Sequence, residues 1–119
     1  MGVIIKRPIG NGAWRSKVSP TANLRYKPMR QYGDEYFRRA QLMEALGPIP
    51  KEPDDRFATA ISFVMAHSVV TTAIVGTQNP AHMKANIDVI SNASPLSSDV
   101  VEELRRRFDE LDDNWYQLT

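Results

Sequence analysis

Residues 72–86 read Thr-Ala-Ile-Val-Gly-Thr-Gln-Asn-Pro-Ala-His-Met-Lys-Ala-Asn. They run from a β-branched apolar stretch through a glycine turn into the start of a helix. The stretch from Val69 to Val75 is rich in Val, Thr and Ile and closes at Gly76, the composition of a strand that ends in a turn. Asn79 before Pro80 sets a favoured N-cap beside the proline favoured at the first helical position, so a helix is expected to about Ser91. Met83, Ile87 and Ile90 share one face of it. The start of that helix offers backbone donors at the positive end of its dipole, a geometry that suits phosphate. Gly76 would allow close backbone approach, Thr77 and Gln78 can donate hydrogen bonds, and His82 and Asn86 stand four residues apart on one helix face. Every strand-to-helix junction needs a cap, however, so the stretch alone reads first as a structural turn.

Working outward, Gly2 to Ile5 is apolar on both faces, as in a buried parallel strand, and Pro8 stops it. Ile9 to Gly33 carries Gly10, Gly12, Pro20, Pro28 and Gly33 among polar residues and reads as a long loop. Asp34 to Leu46 then has helical spacing, with Phe37, Ala40 and Met43, or Leu42 and Leu46, on a common face, and Gly47-Pro48 ends it. Asp54 to about Ala66 reads as a second helix with Phe57, Ile61 and Val64 inward and His67 at its end. The last helix begins near Ser97, with Leu96 and Val101 suited to a hydrophobic staple and Val101, Leu104, Phe108 and Leu111 facing the core. Strands separated by helices predict a parallel βαβ unit that is mostly helical by content. Only two strands are found, although an isolated two-stranded sheet is marginal.

The 119 residues allow a single domain at most, and 42% hydrophobic with 24% charged residues lies in the globular range. A net charge of +1 provides no global field for nucleic acid or anionic membranes. Arg105-Arg106-Arg107 is flanked by Glu102, Glu103, Asp109 and Glu110 and reads as a solvated helix face, so neither nucleic acid nor membrane is expected as a partner. Zero cysteines exclude thiolate metal sites, a cysteine nucleophile and disulfides, which fits a reducing cytoplasm. His67 and His82 have no metal-ligand spacing and no catalytic partner motif, and His67 reads as a capping or packing residue.

The Ile74-Val-Gly-Thr-Gln-Asn-Pro-Ala-His82 run closely resembles the C-terminal part of the aldo-keto reductases. So do Val3-Ile-Ile-Lys-Arg-Pro-Ile-Gly-Asn-Gly12 and Arg56-Phe-Ala-Thr-Ala-Ile-Ser-Phe-Val-Met-Ala-His67. Those enzymes are (β/α)8 TIM barrels that use NADPH or NADH to interconvert carbonyls and alcohols. The resemblance implies an α/β fold in which residues 1–119 form one partial domain, the C-terminal fragment of such a barrel. Its last two parallel strands would be Val3 to Lys6 and Val69 to Val75. It assigns Lys6, Arg7, Pro8, Ile9, Gly10 and Gly12 to the nicotinamide and pyrophosphate, and Gly76, Thr77, Gln78, His82 and Asn86 to the adenosine end. Both sets belong at the C-terminal ends of strands, where barrel sites are built. Trp14 would lie near the cofactor.

Many NADPH-selective members carry lysine where Gly76 stands and arginine where His82 stands, and many have an aromatic residue at the position of Lys6. The family's catalytic Asp, Tyr, Lys and His come from earlier strands. None of Tyr26, Tyr32, Tyr36 and Tyr116 lies in a matching motif, so no catalytic or metal residue is assigned and the isolated chain is expected to be inactive. A non-catalytic helical binding or interaction module derived from a reductase is the alternative reading. Unpaired strand edges also point to self-association.

Overall fold

The computed structural model describes residues 1–14, 27–92, 94–115 and 118. The elements in chain order are β1 (Val3–Lys6), a 3-10 turn (Gly10–Gly12), α1 (Lys27–Ala45), α2 (Arg56–Met65), β2 (Val70–Ile74), α3 (Pro80–Asn92) and α4 (Ser98–Leu111). β1 and β2 pair in parallel, with Val3 opposite Val70, Ile4 opposite Thr72, Ile5 opposite Ala73 and Lys6 opposite Ile74. The register skips Thr71, whose hydroxyl donates to the Val3 carbonyl at 3.2 Å. This is the expected βαβ crossover, with α2 packed against β2 and α3 beside α2.

Local chemistry accounts for the helix ends. The Asp55 carboxylate caps α2 by accepting from the Phe57 N–H at 2.9 Å, and the Asn79 side chain does the same for Ala81 at the start of α3. α1 stops at Gly47, whose φ of +94° is disfavoured for a side chain and whose N–H returns to the Glu44 carbonyl. The expected loop from Ile9 to Gly33 needs correction, because Gly10–Gly12 forms a 3-10 turn and α1 already begins at Lys27. Pro28 is compatible with a first helical turn, where its missing N–H costs nothing. Gly33 is buried inside that helix instead of breaking it. The part of the loop from 15 to 26 lies outside the described residues.

The core lies among α1, α2, α4 and the segments joining them, and holds Ala13, Ala40, Ile49, Phe57, Ile61, Val100 and Leu118. In α4 the buried residues are Val100 and Arg107, while Phe108 is exposed. The inward face is therefore rotated from the expected Val101, Leu104, Phe108 and Leu111 line. In α1, Ala40 is buried while Leu42 and Leu46 are exposed. Along the sheet, Val3, Ile5 and Ala73 are half-buried and Ile4, Lys6, Thr72 and Ile74 are exposed.

Thr59 is 1% exposed and its hydroxyl has no hydrogen-bond partner. An orphaned buried hydroxyl costs about 1–3 kcal/mol. Thr59→Val keeps the shape and removes the hydroxyl, so a rise in stability of about 1 kcal/mol is expected from urea unfolding.

Candidate functional site

Parallel pairing brings the C-terminal ends of both strands to one edge, with Lys6 directly opposite Ile74. The segment from Arg7 to Trp14 and the turn from Val75 to Asn79 therefore leave the sheet side by side. Lys6 is exposed on the open sheet face, and Arg7 follows with φ of +55°, the left-handed region that costs energy for any residue with a side chain. This kink directs the chain off the strand into the 3-10 turn, where Gly10 donates to the Arg7 carbonyl and Gly12 to that of Ile9. The Arg7 guanidinium donates to the Leu118 carbonyl at 3.4 Å. Gly12 has φ of +78°, with open space where a side chain would begin.

Trp14 closes this segment. Its indole N–H donates to Glu52 at 3.3 Å, the Arg56 guanidinium lies 5.6 Å from its ring centre, and Arg56 pairs with Glu44 at 2.8 Å. These contacts turn Trp14 toward the linker after α1 and the start of α2.

At the second strand end, the Thr77 hydroxyl accepts from the Asn79 N–H at 3.2 Å. The Asn79 carbonyl accepts from both His82 and Met83, and its side chain holds Ala81. Pro80 has no N–H, so the donors of the first turn of α3 are spent on its own cap. The expectation that this helix end presents backbone donors to a phosphate is thereby corrected. An anion there must be met by the turn from Gly76 to Gln78 or by side chains. Gly76, Gln78 and His82 are exposed, with open space around the Gly76 Cα, whereas Asn86 is buried. The candidate residues thus fall into two neighbouring groups at one sheet edge, with Asn86 turned inward on α3.

A cavity of about 510 Å³ adjoins the first of these groups. Pro8, Ile9 and Gly10 line it together with Tyr36, Phe63 and Phe108, between α1, α2 and α4, and no residue of the second group reaches it. The cavity is thus bordered on one side by the first candidate group and on the others by helix side chains.

Arg107 has a role that charge patterning missed. It is 2% exposed and donates to the Glu103 carboxylate at 2.7 Å. It also donates to the carbonyls of Met43 at 2.8 Å, Gly47 at 2.7 Å and Pro48 at 3.1 Å. α1 has no basic residue in its last turn, so a cation from α4 supplies the charge that its negative end favours. The solvated-face reading holds for the exposed Arg105 and Arg106 and fails for Arg107. The one available signal was Glu103 and Arg107 at i, i+4 spacing, which equally suits a surface pair.

Hydrogen bonds from Arg106 and then Arg107 hold the Glu103 carboxyl at about 2, below its ordinary 4.5. Glu35, bonded first by Arg38 and also by Arg39, is likewise held at about 2 despite opposing desolvation. Carboxyls depressed in the folded state add stability above pH 4.5 and lose it as pH falls toward about 2. The melting temperature is expected to fall across that window, and Glu103→Gln to flatten the fall, as differential scanning calorimetry would measure.

His67 packs edge-on against Phe63 with ring centres 5.3 Å apart. Its Nδ1 lies 3.0 Å from the Phe63 carbonyl and its Nε2 2.9 Å from Arg105. An arginine can only donate, so Nε2 accepts and Nδ1 carries the proton. This is the expected capping and packing role. Among the described residues, no helix is long and apolar enough to cross a membrane.

A parallel βαβ unit with both strand ends opening on one edge defines an α/β protein with its candidate site at that edge. The family model of the Aldo/keto reductase family matches residues 1–107, and the chain belongs to that family. Comparisons with curated proteins and with solved structures give no match.

Proposed function

We propose that this chain contributes part of the NAD(P)H site of a reductase that transfers hydride between a nicotinamide and a carbonyl or alcohol. In this reading β1 and β2 are the last two strands of a (β/α)8 barrel, and a cytoplasmic location goes with it. The observation that carries the reading is the side-by-side exit of Arg7–Trp14 and Val75–Asn79 from paired strand ends, with Lys6 and Ile74 in register. Barrel sites are assembled from such ends.

The residues fit the group. Lys6 and Arg7 supply positive charge beside the loop of Pro8, Ile9, Gly10 and Gly12, suited to a pyrophosphate. Gly76, Thr77, Gln78 and His82 form an open, polar second patch suited to the adenosine phosphate. Buried Asn86 supports α3 from inside. The dinucleotide, when bound, supplies or accepts the hydride, and the residues here bind and orient it. No group in the chain is assigned to proton transfer, so carbonyl reduction by these 119 residues alone is expected to stay at background.

The test is titration with NADPH and with NADH, read by amide chemical shifts. Shifts confined to residues 6–12 and 76–82 are expected. Gly76→Lys with His82→Arg should strengthen NADPH binding relative to NADH by about tenfold, and salt should weaken the gain, because two cations then meet the additional phosphate. The absence of shifts at these segments with millimolar dinucleotide, about 1 mM and above, would overturn the reading in favour of a non-catalytic interaction module.

A further inference from the structure

Dinucleotide binding at the strand ends gives no role to the cavity of about 510 Å³ beside the first candidate group. That volume suits a small organic molecule. Among the described residues, its wall comes from the segment between Pro8 and Trp14, from α1, α2 and α4, and from Trp115. Neither strand and no residue of α3 borders it, so the sheet edge and helix flank that further barrel strands would cover play no part in it.

Tyr36, Phe63, Phe108 and Trp115 line the cavity with aromatic rings. The charged side chains in its wall are already engaged or stand at the rim. Arg39 bonds Glu35 at 2.7 Å and lies 5.1 Å from the centre of the Trp115 ring. Arg105 bonds His67 at 2.9 Å, and Asp109 is exposed. An ion entering this space would lose hydration without gaining a partner of opposite charge.

Thr59 is different. It lines the cavity, is 1% exposed, and its hydroxyl has no hydrogen-bond partner. A threonine hydroxyl in a helix can bond the carbonyl three or four residues back, and this one does not. Buried polar groups are normally paired, and with its own helix left unused, the cavity is the side from which a partner can come.

We infer that this cavity binds an uncharged, mainly aromatic molecule whose one hydroxyl or carbonyl group pairs with Thr59. The rings select a flat apolar body, the engaged arginines leave no site for a formal charge, and the orphaned hydroxyl calls for a single polar group.

The chain has two tryptophans, Trp14 and Trp115, and both line the cavity. Tryptophan emission of the full chain therefore reports its filling. The probe is 2-naphthol, compared with 2-naphthoate, which adds a charge, and 2-methylnaphthalene, which lacks the hydroxyl. Saturable binding of 2-naphthol with Kd below about 1 mM is expected, and 2-naphthoate should bind at least about tenfold more weakly. Thr59→Val keeps the shape of the wall. It should weaken 2-naphthol relative to 2-methylnaphthalene by about three- to tenfold, a change of ratio that altered packing alone would not produce. Ala60→Phe places a ring in the cavity wall and should abolish binding of both, with circular dichroism as the control for folding. No saturable binding, equal affinity for 2-naphthoate, a ratio indifferent to Thr59→Val, or strict competition between 2-naphthol and NADPH would each overturn the inference. Dinucleotide binding is read separately by amide shifts at the strand ends, and its failure would leave the 2-naphthol result standing.

Discussion

Arg107→Ala is expected to destabilise the fold by about 3 kcal/mol or more, measured as the loss of unfolding free energy in urea. The side chain is 2% exposed, and its removal deprives the Met43, Gly47 and Pro48 carbonyls of a charged donor. Those groups lie at the end of α1 and in the linker that follows, where orphaned carbonyls have few other partners. The aliphatic stem also leaves a gap between α1 and α4. Glu103 keeps Arg106 at 2.8 Å, so the loss falls mainly on the carbonyls and the packing. Arg107→Lys retains a cation but not the planar fork that meets several acceptors together, and should recover only part of the stability. A domain of this size has about 5–15 kcal/mol of stability in all, so Arg107→Ala should remove a large share of it and move the urea midpoint well down. Near-wild-type stability of that variant would show that α1 and α4 are held by other contacts.

Ile61→Ala should cost about 2–5 kcal/mol. Ile61 is 1% exposed on α2, the crossover helix joining β1 to β2. It borders a space of about 240 Å³ that Met65, Ile90 and Leu96 also line. Truncation enlarges that space where the surrounding helices cannot close over it. Ile61→Val removes one methylene and should cost about 0.5–1.5 kcal/mol. Equal effects of the two substitutions in urea unfolding would argue against a packed environment. α2 connects the sheet to α3, so the larger truncation should also lower protection of both strands against hydrogen exchange.

The local elements were legible because each rests on near-neighbour chemistry. Asp55 before Phe57, Asn79-Pro80 before Ala81 and Gly47 after Ala45 act within two or three residues, and each boundary lies within a residue or two of its expected place. Phe57 and Ile61 face inward as their spacing required. The segment before Gly33 misled because proline and glycine were weighed as breakers, although the first turn of a helix tolerates one and a buried contact can use the other.

That the candidate residues stand at two neighbouring strand ends was legible from the predicted strands, but the state of the α3 donors was not. Whether the N–H groups of α3 remain available depends on how Asn79 and Thr77 turn, a matter of side-chain geometry that residue types leave open.

By itself, the sequence determined the parallel βαβ order, the helix ends other than the start of α1, and membership of the aldo-keto reductase family, since these follow from local propensity and from a specific run of residues. Tertiary structure decided that Arg107 is buried while Arg105 and Arg106 are exposed, that Asn86 turns inward while Ile87 turns out, and that Thr59 is left without a partner. Those outcomes depend on which surfaces distant segments present to each other. The free energy of an arginine beside three carbonyls 59 to 64 residues away is set by proximity in space, which no local pattern records.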